Sequence, residues 1–376
     1  MHPEKETQTI QNSLNCKSCG AVLHYAPGTN RLKCQYCGCE DNIIPTQYKE
    51  EITVYNYDEF IEYTQKLPDE NTRQQEVISC SNCGSKTHFD PNVTATQCAF
   101  CTTPLVLELK NSEKYIEPHY VLPFLFDKDT AVKSFHKWIK GLWFAPNELK
   151  KKVETNSLSP LKGIYLPYWL YDADTVTEYS GQRGDHYYET ETYTERVNDR
   201  TVQRTRLVQK TRWHSVSGSV NNTFENITVT ASRSLPKDFL DDLTPWPFEE
   251  LKFFDERYLS GFNAETFKVK PDEGFDEAQE IMGPDIMESI RRDIGGDEQR
   301  ISDTDVEYFN VGIKYALLPV WVSSFRYNNK IYQFIVNAST GEVKGKRPYS
   351  ALKIILLILA ILAIVLFVVA QNRYTN

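Results

Sequence analysis

Eight of the nine cysteines in this chain stand in four CxxC pairs, and the pairs repeat with a single spacing. Cys16, Cys19, Cys34 and Cys37 recur as Cys80, Cys83, Cys98 and Cys101, each displaced by 64 positions. The flanks repeat too: CKSCGAVLHYAP matches CSNCGSKTHFDP, and KCQYC matches QCAFC. A CxxC turn sets two sulfurs on one side of a tight knuckle, and two knuckles from adjacent hairpins complete a tetrahedron with Zn–S bonds of about 2.3 Å. Gly20 and Gly84 follow the first knuckles, where left-handed backbone is often needed. Between the knuckles, VLHYAPGTNRLK and KTHFDPNVTATQ each read as strand, proline-containing turn, strand. A unit of about 25 residues buries too little to fold alone, and bound zinc supplies the missing free energy. The pattern predicts two zinc ribbons, over residues 14–40 and 78–104. Four thiolates also accept iron, and a redox dithiol is a further use of CxxC.

Metal binding comes before disulfides here because the N-terminus, MHPEKETQTIQNSLN, is polar throughout and resembles no secretory signal. The expected ligands are Cys16, Cys19, Cys34 and Cys37 in the first unit and Cys80, Cys83, Cys98 and Cys101 in the second, holding two Zn²⁺. His24 and His88 hold equivalent places. With four cysteines already in each unit, they are expected as strand residues beside Tyr25 and Phe89. Cys39 has no counterpart, since Thr103 stands in its place, and is expected to be a spare thiol. Tyr36 and Phe100 are candidate docking points, the competing reading being that each packs within its own ribbon.

Leu352 to Ala370 is apolar except for Lys353 at its edge. At about 1.5 Å per residue a helix over 352–370 is about 28 Å long, close to the roughly 30 Å of a bilayer's hydrocarbon core. Buried helices of soluble proteins are seldom apolar on every face, so this stretch reads as a transmembrane helix. Lys344, Lys346, Arg347 and Lys353 precede it and Arg373 follows it. The positive-inside rule then puts the bulk of the chain in the cytoplasm and a short C-terminal tail outside, a single pass through the cell inner membrane. Asn92, Asn221, Asn226 and Asn337 begin Asn-x-Ser/Thr patterns that a cytoplasmic domain leaves unused.

The net charge is −9. Residues 1–110 hold nine Lys and Arg against fourteen Asp and Glu. Each four-cysteine zinc site adds about −2, so this segment repels a phosphate backbone more than it attracts one. Lys17, Arg31, Lys33 and Lys86 are the candidates for a local basic face. Nucleic acid is thus a disfavoured partner.

After a linker (41–77) with a short helix at YDEFIEYTQKL, and the second ribbon, residues 115–348 read as an α+β domain. DKDTAVKSFHKWIKGLWFAPNELKK carries Ala131, Phe135, Trp138, Ile139 and Leu142 at helical spacing, with Asp127 or Asp129 as N-cap. LKGIYLPYWLYDADTVTEYSG reads as a buried strand, and GDHYYETETYTERV with TVQRTRLVQKTRWHSVSGSV as paired antiparallel strands. VLPFLFD, YLPYWLYD and LLPVWVSSF each place proline at the start of an aromatic strand and suggest duplicated α+β units. DEAQEIMGPDIMESIRRDIGGD reads as a helix in two pieces, split at Gly283 and Pro284 and ending at Gly295. Turns are expected at Asn328–Asn329 and at Gly341. No catalytic constellation stands out. Asp172 and Asp174 read as a solvated turn, His186 and His214 as structural or surface residues, and no phosphate loop, nucleophile elbow or HExxH is present. The chain is not read as an enzyme.

The ribbons resemble the four-cysteine ribbons of transcription factor IIB and RNA polymerase subunits. HYVLPF, KWIKGLWFAPNELK, LKGIYLPYWLYD and PWPFEELKFFDERYLSGF, with the ribbons and the C-terminal span, make most of the chain similar to a bacterial family of transcription-factor-IIB-type zinc-ribbon membrane proteins. The resemblance implies partners of the phage-shock protein A kind and SPFH-like or virion-core-like proteins in a membrane-stress complex. The expected fold is therefore α+β: two small zinc ribbons, a mainly antiparallel β-rich domain and one transmembrane helix. The expected function is a membrane-anchored adaptor that recruits cytoplasmic proteins, the alternative being a membrane-tethered nucleic-acid-binding protein of transcription or replication.

Overall fold

The computed structural model describes residues 14–44, 52–66, 74–80, 85–88, 95–98, 100, 103–106, 110–114, 116–148, 161–197, 200–327 and 330–374. The architecture is α+β with mainly antiparallel sheets. The N-terminal third supplies short strands: β1 (Leu23–Tyr25), β2 (Arg31–Cys34), β3 (Glu40–Asn42), β4 (Tyr55–Asn56), β5 (Gln74–Ser79), β6 (Lys86–His88), β7 (Ala95–Gln97), β8 (Pro104–Val106) and β9 (Lys110–Lys114), with α1 (Tyr57–Lys66) between β4 and β5. The body follows with β10 (Tyr120–Val121), α2 (Lys128–Gly141), β11 (Lys162–Val197), β12 (Arg200–Thr230), α3 (Lys237–Asp241), β13 (Lys252–Phe253), β14 (Asn263–Glu265), α4 (Pro271–Ile294), β15 (Glu298–Tyr327), β16 (Lys330–Asn337), β17 (Val343–Gly345) and the C-terminal α5 (Ala351–Tyr374).

Two units of one plan build the body. β10–α2–β11–β12 and β14–α4–β15–β16 each run strand, helix, long strand, hairpin return. The long strands β11 and β15 pair antiparallel about Leu166 and Leu318, and each unit's short strand pairs parallel to the other unit's long strand: β10 on β15, β14 on β11. The helices exchange as well. α2 packs toward β16 and β17, with Phe135 stacked on Phe334 at 3.7 Å, and α4 lies on β11 and β12. This is the duplication that YLPYWLYD and LLPVWVSSF suggest, whereas VLPFLFD begins in the short strand β10 and runs on outside any strand, with Pro123 beyond it.

The prolines themselves sit differently from expectation. Pro167 and Pro319 lie inside β11 and β15, not at their starts. On β11 the neighbour changes from β14 at Tyr165 to β12 at Tyr168, and on β15 from β10 at Leu317 to β16 at Val320. Each proline falls in that gap, where the missing N–H deprives no ladder of a bond. Its carbonyl still accepts, from Ala231 N–H at 2.9 Å and Ala338 N–H at 3.1 Å respectively.

β11 passes through three environments, and its sequence changes with them. Ile164 to Tyr171 is buried throughout: Tyr165, Trp169 and Tyr171 face one core, Ile164, Leu166, Tyr168 and Leu170 the other. From Asp172 only alternate residues are buried, among them Ala173, Thr175, Thr177 and Tyr179, with α4 over that face. Pairing with β15 stops at Gly184, opposite Glu298. Beyond it Asp185–Val197 pairs only with Arg200–Arg212 of β12, a two-stranded arm about 40 Å long at about 3.3 Å per residue. The buried strand and the paired polar strands of the sequence are thus one continuous hairpin.

The predicted helix at 128 has Asp127 as its cap, whose carboxylate accepts from Thr130 N–H at 2.9 Å. α4 is one helix, not two pieces. Gly274, Ala278, Met282, Ile286, Ile290 and Ile294 form one buried stripe, while Pro284 faces solvent, where the carbonyl it leaves unbonded meets water. The helix ends at Gly295 as expected, with φ +63°. Gly341 makes its turn at φ +79°, and Tyr327 opposes Lys330 across the turn at 328–329, which lies outside the described residues. α5 holds one helix long and apolar enough to cross a membrane, over Ala351–Gln371.

Candidate metal centre

β1, β2 and β3 form a three-stranded sheet that carries the first pair of knuckles at one end. Each knuckle closes in the same way. Cys16 N–H donates to Ala21 O at 2.7 Å and Gly20 N–H to Cys16 O at 2.8 Å; Cys34 N–H donates to Cys39 O at 2.8 Å and Gly38 N–H to Cys34 O at 3.1 Å. Gly20 at φ +77° and Gly38 at φ +73° supply the left-handed residue that lets the chain turn back.

The turns bring four sulfurs together. Cys16 Sγ lies 3.5 Å from Cys37 Sγ and Cys19 Sγ 3.5 Å from Cys34 Sγ, and all four fall within 4.8 Å of one another. A disulfide needs about 2.0 Å, and a zinc tetrahedron with bonds of about 2.3 Å has sulfur–sulfur edges of about 3.8 Å, so the spacing fits the ion and not the covalent bond. Cys16 and Cys34 are buried and Cys19 and Cys37 exposed. The Cys37 and Tyr36 amides pull the Cys34 thiol down to about 6, and the Cys19 and Ser18 amides lower Cys16. Cys19 accepts from the Ala21 amide, which lowers it, yet the sulfurs of Cys34 and Cys37 push it up to about 12. A cation at the centre of the cluster would hold all four as thiolates.

His24 is not a ligand. Its ring bonds Gln35 Nε2 at 3.0 Å and lies against Gly261, where an added Cβ would come within 2.8 Å of Nδ1. Cys39 stands outside the four-sulfur group, exposed, its pKa raised by burial of the sulfur and by Cys16 and Cys37.

The first ribbon is fused to the body. Tyr25 N–H donates to Ser260 O at 3.0 Å, Ser260 Oγ to Leu23 O at 2.6 Å, and Gly28 N–H to Phe124 O at 2.8 Å. The buried Tyr25 ring meets Tyr258 edge-on at 5.3 Å and Phe262 at 6.3 Å. Sequence reasoning names the four clustered cysteines but not Ser260, Tyr258 or Phe262, which lie more than two hundred residues away. The glycine in YLSGF is the available signal: Gly261, at φ +87°, is where the chain closes on the His24 side chain.

The second set recurs in backbone. Cys80 N–H donates to Ser85 O and Cys98 N–H to Thr103 O, both at 2.8 Å, matching Cys16 to Ala21 and Cys34 to Cys39. β7 pairs with β8 in the register in which β2 pairs with β3, with Ala95 opposite Val106 as Arg31 is opposite Asn42. Cys80 and Cys98 are buried, and Ser85 Oγ lies 3.3 Å from Cys98 Sγ. Cys83, Cys101 and the side chain of His88 lie outside the described residues. Phe100 is fully buried in a core shared with Leu166 and Leu170, so it is no docking point; Tyr36 is 85% exposed.

The remaining candidates have structural settings. Asp172 and Asp174 lie at a bulge in mid-strand, not in a turn. Asp172 pairs with the nearly buried Lys314 at 2.7 Å and accepts from Asn226 N–H; Asp174 accepts from Thr223 and Asn310. His186 bonds Glu298 at 2.8 Å and His214 lies 3.9 Å from Asp185, both at the base of the arm. Asn337 is fully buried, donating to Leu243 O, so its Asn-x-Ser pattern is closed to modification.

No family model matches the chain, and no solved structure does. Among curated proteins it is similar to the uncharacterized protein YdjG of Bacillus subtilis (strain 168), with 28% identity over 344 residues, 91% of this chain and 92% of that protein. The likeness therefore runs through the body and is not confined to the cysteines.

Proposed function

We propose that the chain is a membrane-anchored adaptor, stiffened by two zinc ribbons, that gathers cytoplasmic proteins at the inner membrane through its projecting arm. Zinc at Cys16, Cys19, Cys34 and Cys37, and a second ion at Cys80, Cys83, Cys98 and Cys101, cross-link segments that have little core of their own. The repeated knuckle bonds and register support the second site. The length and apolarity of α5 support the anchor, and the basic residues before it support a cytoplasmic body.

The observation that carries the adaptor reading is the arm. Its β12 strand holds Arg200, Arg204, Arg206, Lys210 and Arg212 and no acid, and its β11 strand holds Asp185, Glu189, Glu191 and Glu195. These meet across one face, Lys210 with Glu189 at 2.6 Å, Arg204 with Glu195 at 3.1 Å and Arg206 with Glu191 at 3.4 Å. The opposite face is mostly uncharged, with Thr190, Thr192, Thr194, Thr201 and Thr205 and the strongly exposed Tyr188 and Leu207. Isolated two-stranded ribbons are marginal in water, so one this long is suited to completion by a partner. Asp185, Glu189, Glu191 and Glu195 offset most of the arm's six cations, Arg196 included, so protein suits it better than a phosphate backbone. Partners of the phage-shock protein A kind or SPFH-like proteins are the first candidates by resemblance.

Affinity capture from detergent-solubilised membranes tests this, comparing the full chain with one in which residues 186–211 are replaced by a tight turn. Loss of co-purifying proteins with the arm, at equal membrane content, is the expected result. An unchanged partner set would remove the arm's role, and steeply salt-dependent retention of labelled DNA or RNA would favour the nucleic-acid reading.

A further inference from the structure

The start of α5 is tied to the body through a lysine. Lys353 Nζ donates to Trp143 O at 3.1 Å, Ala145 O at 2.9 Å and Asn147 Oδ1 at 2.8 Å, engaging all three of its protons. Ser350 N–H donates to Phe144 O at 2.8 Å, and Ser350 also caps the helix, its carbonyl accepting from Ile354 N–H at 3.2 Å. The loop 142–147 that follows α2 is thereby held level with the first turn of the apolar helix. On that loop Trp143 is 73% exposed, and Tyr349, just before Ser350, is 59% exposed under the Arg347 guanidinium at 5.3 Å.

Resting on the membrane-anchor reading of α5, we infer that the loop 142–147 is a membrane-contact lip. Trp143 inserts in the headgroup and glycerol layer of the leaflet that α5 enters, with Tyr349 at the same depth. The apolar segment of α5 is about 31 Å long at about 1.5 Å per residue, so it fills a hydrocarbon core and leaves its first turn at the interface. Whatever Lys353 holds lies at that level. Tryptophan and tyrosine, with an apolar body and a polar tip, are the side chains that favour this layer. Trp143 is exposed, and the apolar phase at its depth is lipid. With its three bonds the Lys353 clamp sets the pose of the body on the bilayer instead of leaving it on a free tether.

The full chain reconstituted in phosphatidylcholine–phosphatidylglycerol vesicles, with bromine on the acyl carbons nearest the glycerol, tests the lip. Trp169, Trp246 and Trp321 are buried, Trp138 on α2 is half-buried beside Phe135, and Trp213 lies under Arg300 at 3.7 Å, so Trp143 is the tryptophan that bromolipid reaches. Part of the wild-type emission should be quenched, and Trp143→Ala should abolish that part while the vesicle-bound amount is unchanged. Trp143→Phe, which keeps an aromatic ring, should lose the same signal, which separates the lip from a folding defect in the alanine chain. Unquenched wild-type emission from protein that resists alkaline extraction would overturn the lip and leave the anchor standing. Release of the wild-type chain by alkali would overturn the anchor and the lip together.

Discussion

Cys16→Ser should destabilise the body as well as the ribbon, because the first ribbon is part of the body's wall. With zinc at this cluster as proposed, losing one thiolate should open the tetrahedron and free residues 14–44. The seam then gives up three hydrogen bonds, Tyr25 to Ser260, Ser260 to Leu23 and Gly28 to Phe124. At about 1 kcal/mol each these contribute about 3 kcal/mol. The two ring contacts of Tyr25, with Tyr258 and Phe262, add about 0.5–1.5 kcal/mol each, for a total of about 4–6 kcal/mol. With about 2–4 °C per kcal/mol for a domain of this size, the body should melt about 10–20 °C lower. Differential scanning fluorimetry of the solubilised full chain reads this through Trp169 and Trp321, which are buried in the body's cores. If Cys16→Ser loses its metal and the tryptophan transition stays at the wild-type temperature, the ribbon is an independent module and the seam contributes nothing to the body's stability.

Tyr25→Phe should cost about 1 kcal/mol in the same melt, since it removes only the hydroxyl that donates to Thr29 O at 2.8 Å and Phe124 O at 3.3 Å. Gly261→Ala should cost about 1–3 kcal/mol, because the new methyl meets the His24 ring at 2.8 Å from a backbone at φ +87°; a neutral result would mean that the seam is loose. Asp127→Ala should cost about 1 kcal/mol at neutral pH through loss of the α2 cap. The Thr130 amide holds the Asp127 pKa below its ordinary value, so that contribution is present above the ordinary carboxylate range and is lost as pH falls through the lowered value; wild type and variant should converge in acid melts. Lys353→Met should leave the chain in the membrane fraction but free the loop 142–147, read as faster proteolysis near Trp143; unchanged cleavage would contradict the clamp.

What was legible in the sequence was local. Metal-ligand spacing is set by the reach of one turn, so the knuckles can be read from a few residues, and the α2 cap at Asp127 and the Gly295 stop follow from short-range rules. The misread helix at Gly283–Pro284 shows where a local rule yields, since a buried stripe on one face holds α4 together across a proline on the other. Phe100 and Tyr36 occupy matching places in the repeat, yet one is buried and the other exposed, because the two ribbons meet different surfaces of the body. Asp172 and Asp174 acquired partners only when Lys314, Asn226 and Asn310 arrived from other strands. Likewise, Lys353 counts as a topology charge in sequence and serves as a clamp in the fold. The swap of short strands between the two body units has no local signature beyond the proline–aromatic repeats, because it is a matter of which edge each strand meets.

The most direct test of the whole account is the metal content and ligand shell of the purified full chain. Two zinc ions per chain are predicted, each showing four sulfur scatterers at about 2.3 Å by X-ray absorption. Cys16→Ser and Cys83→Ser should each lower the count to one. A wild-type chain holding a single zinc, or zinc bound through nitrogen or oxygen, would contradict the repeated metal knuckle.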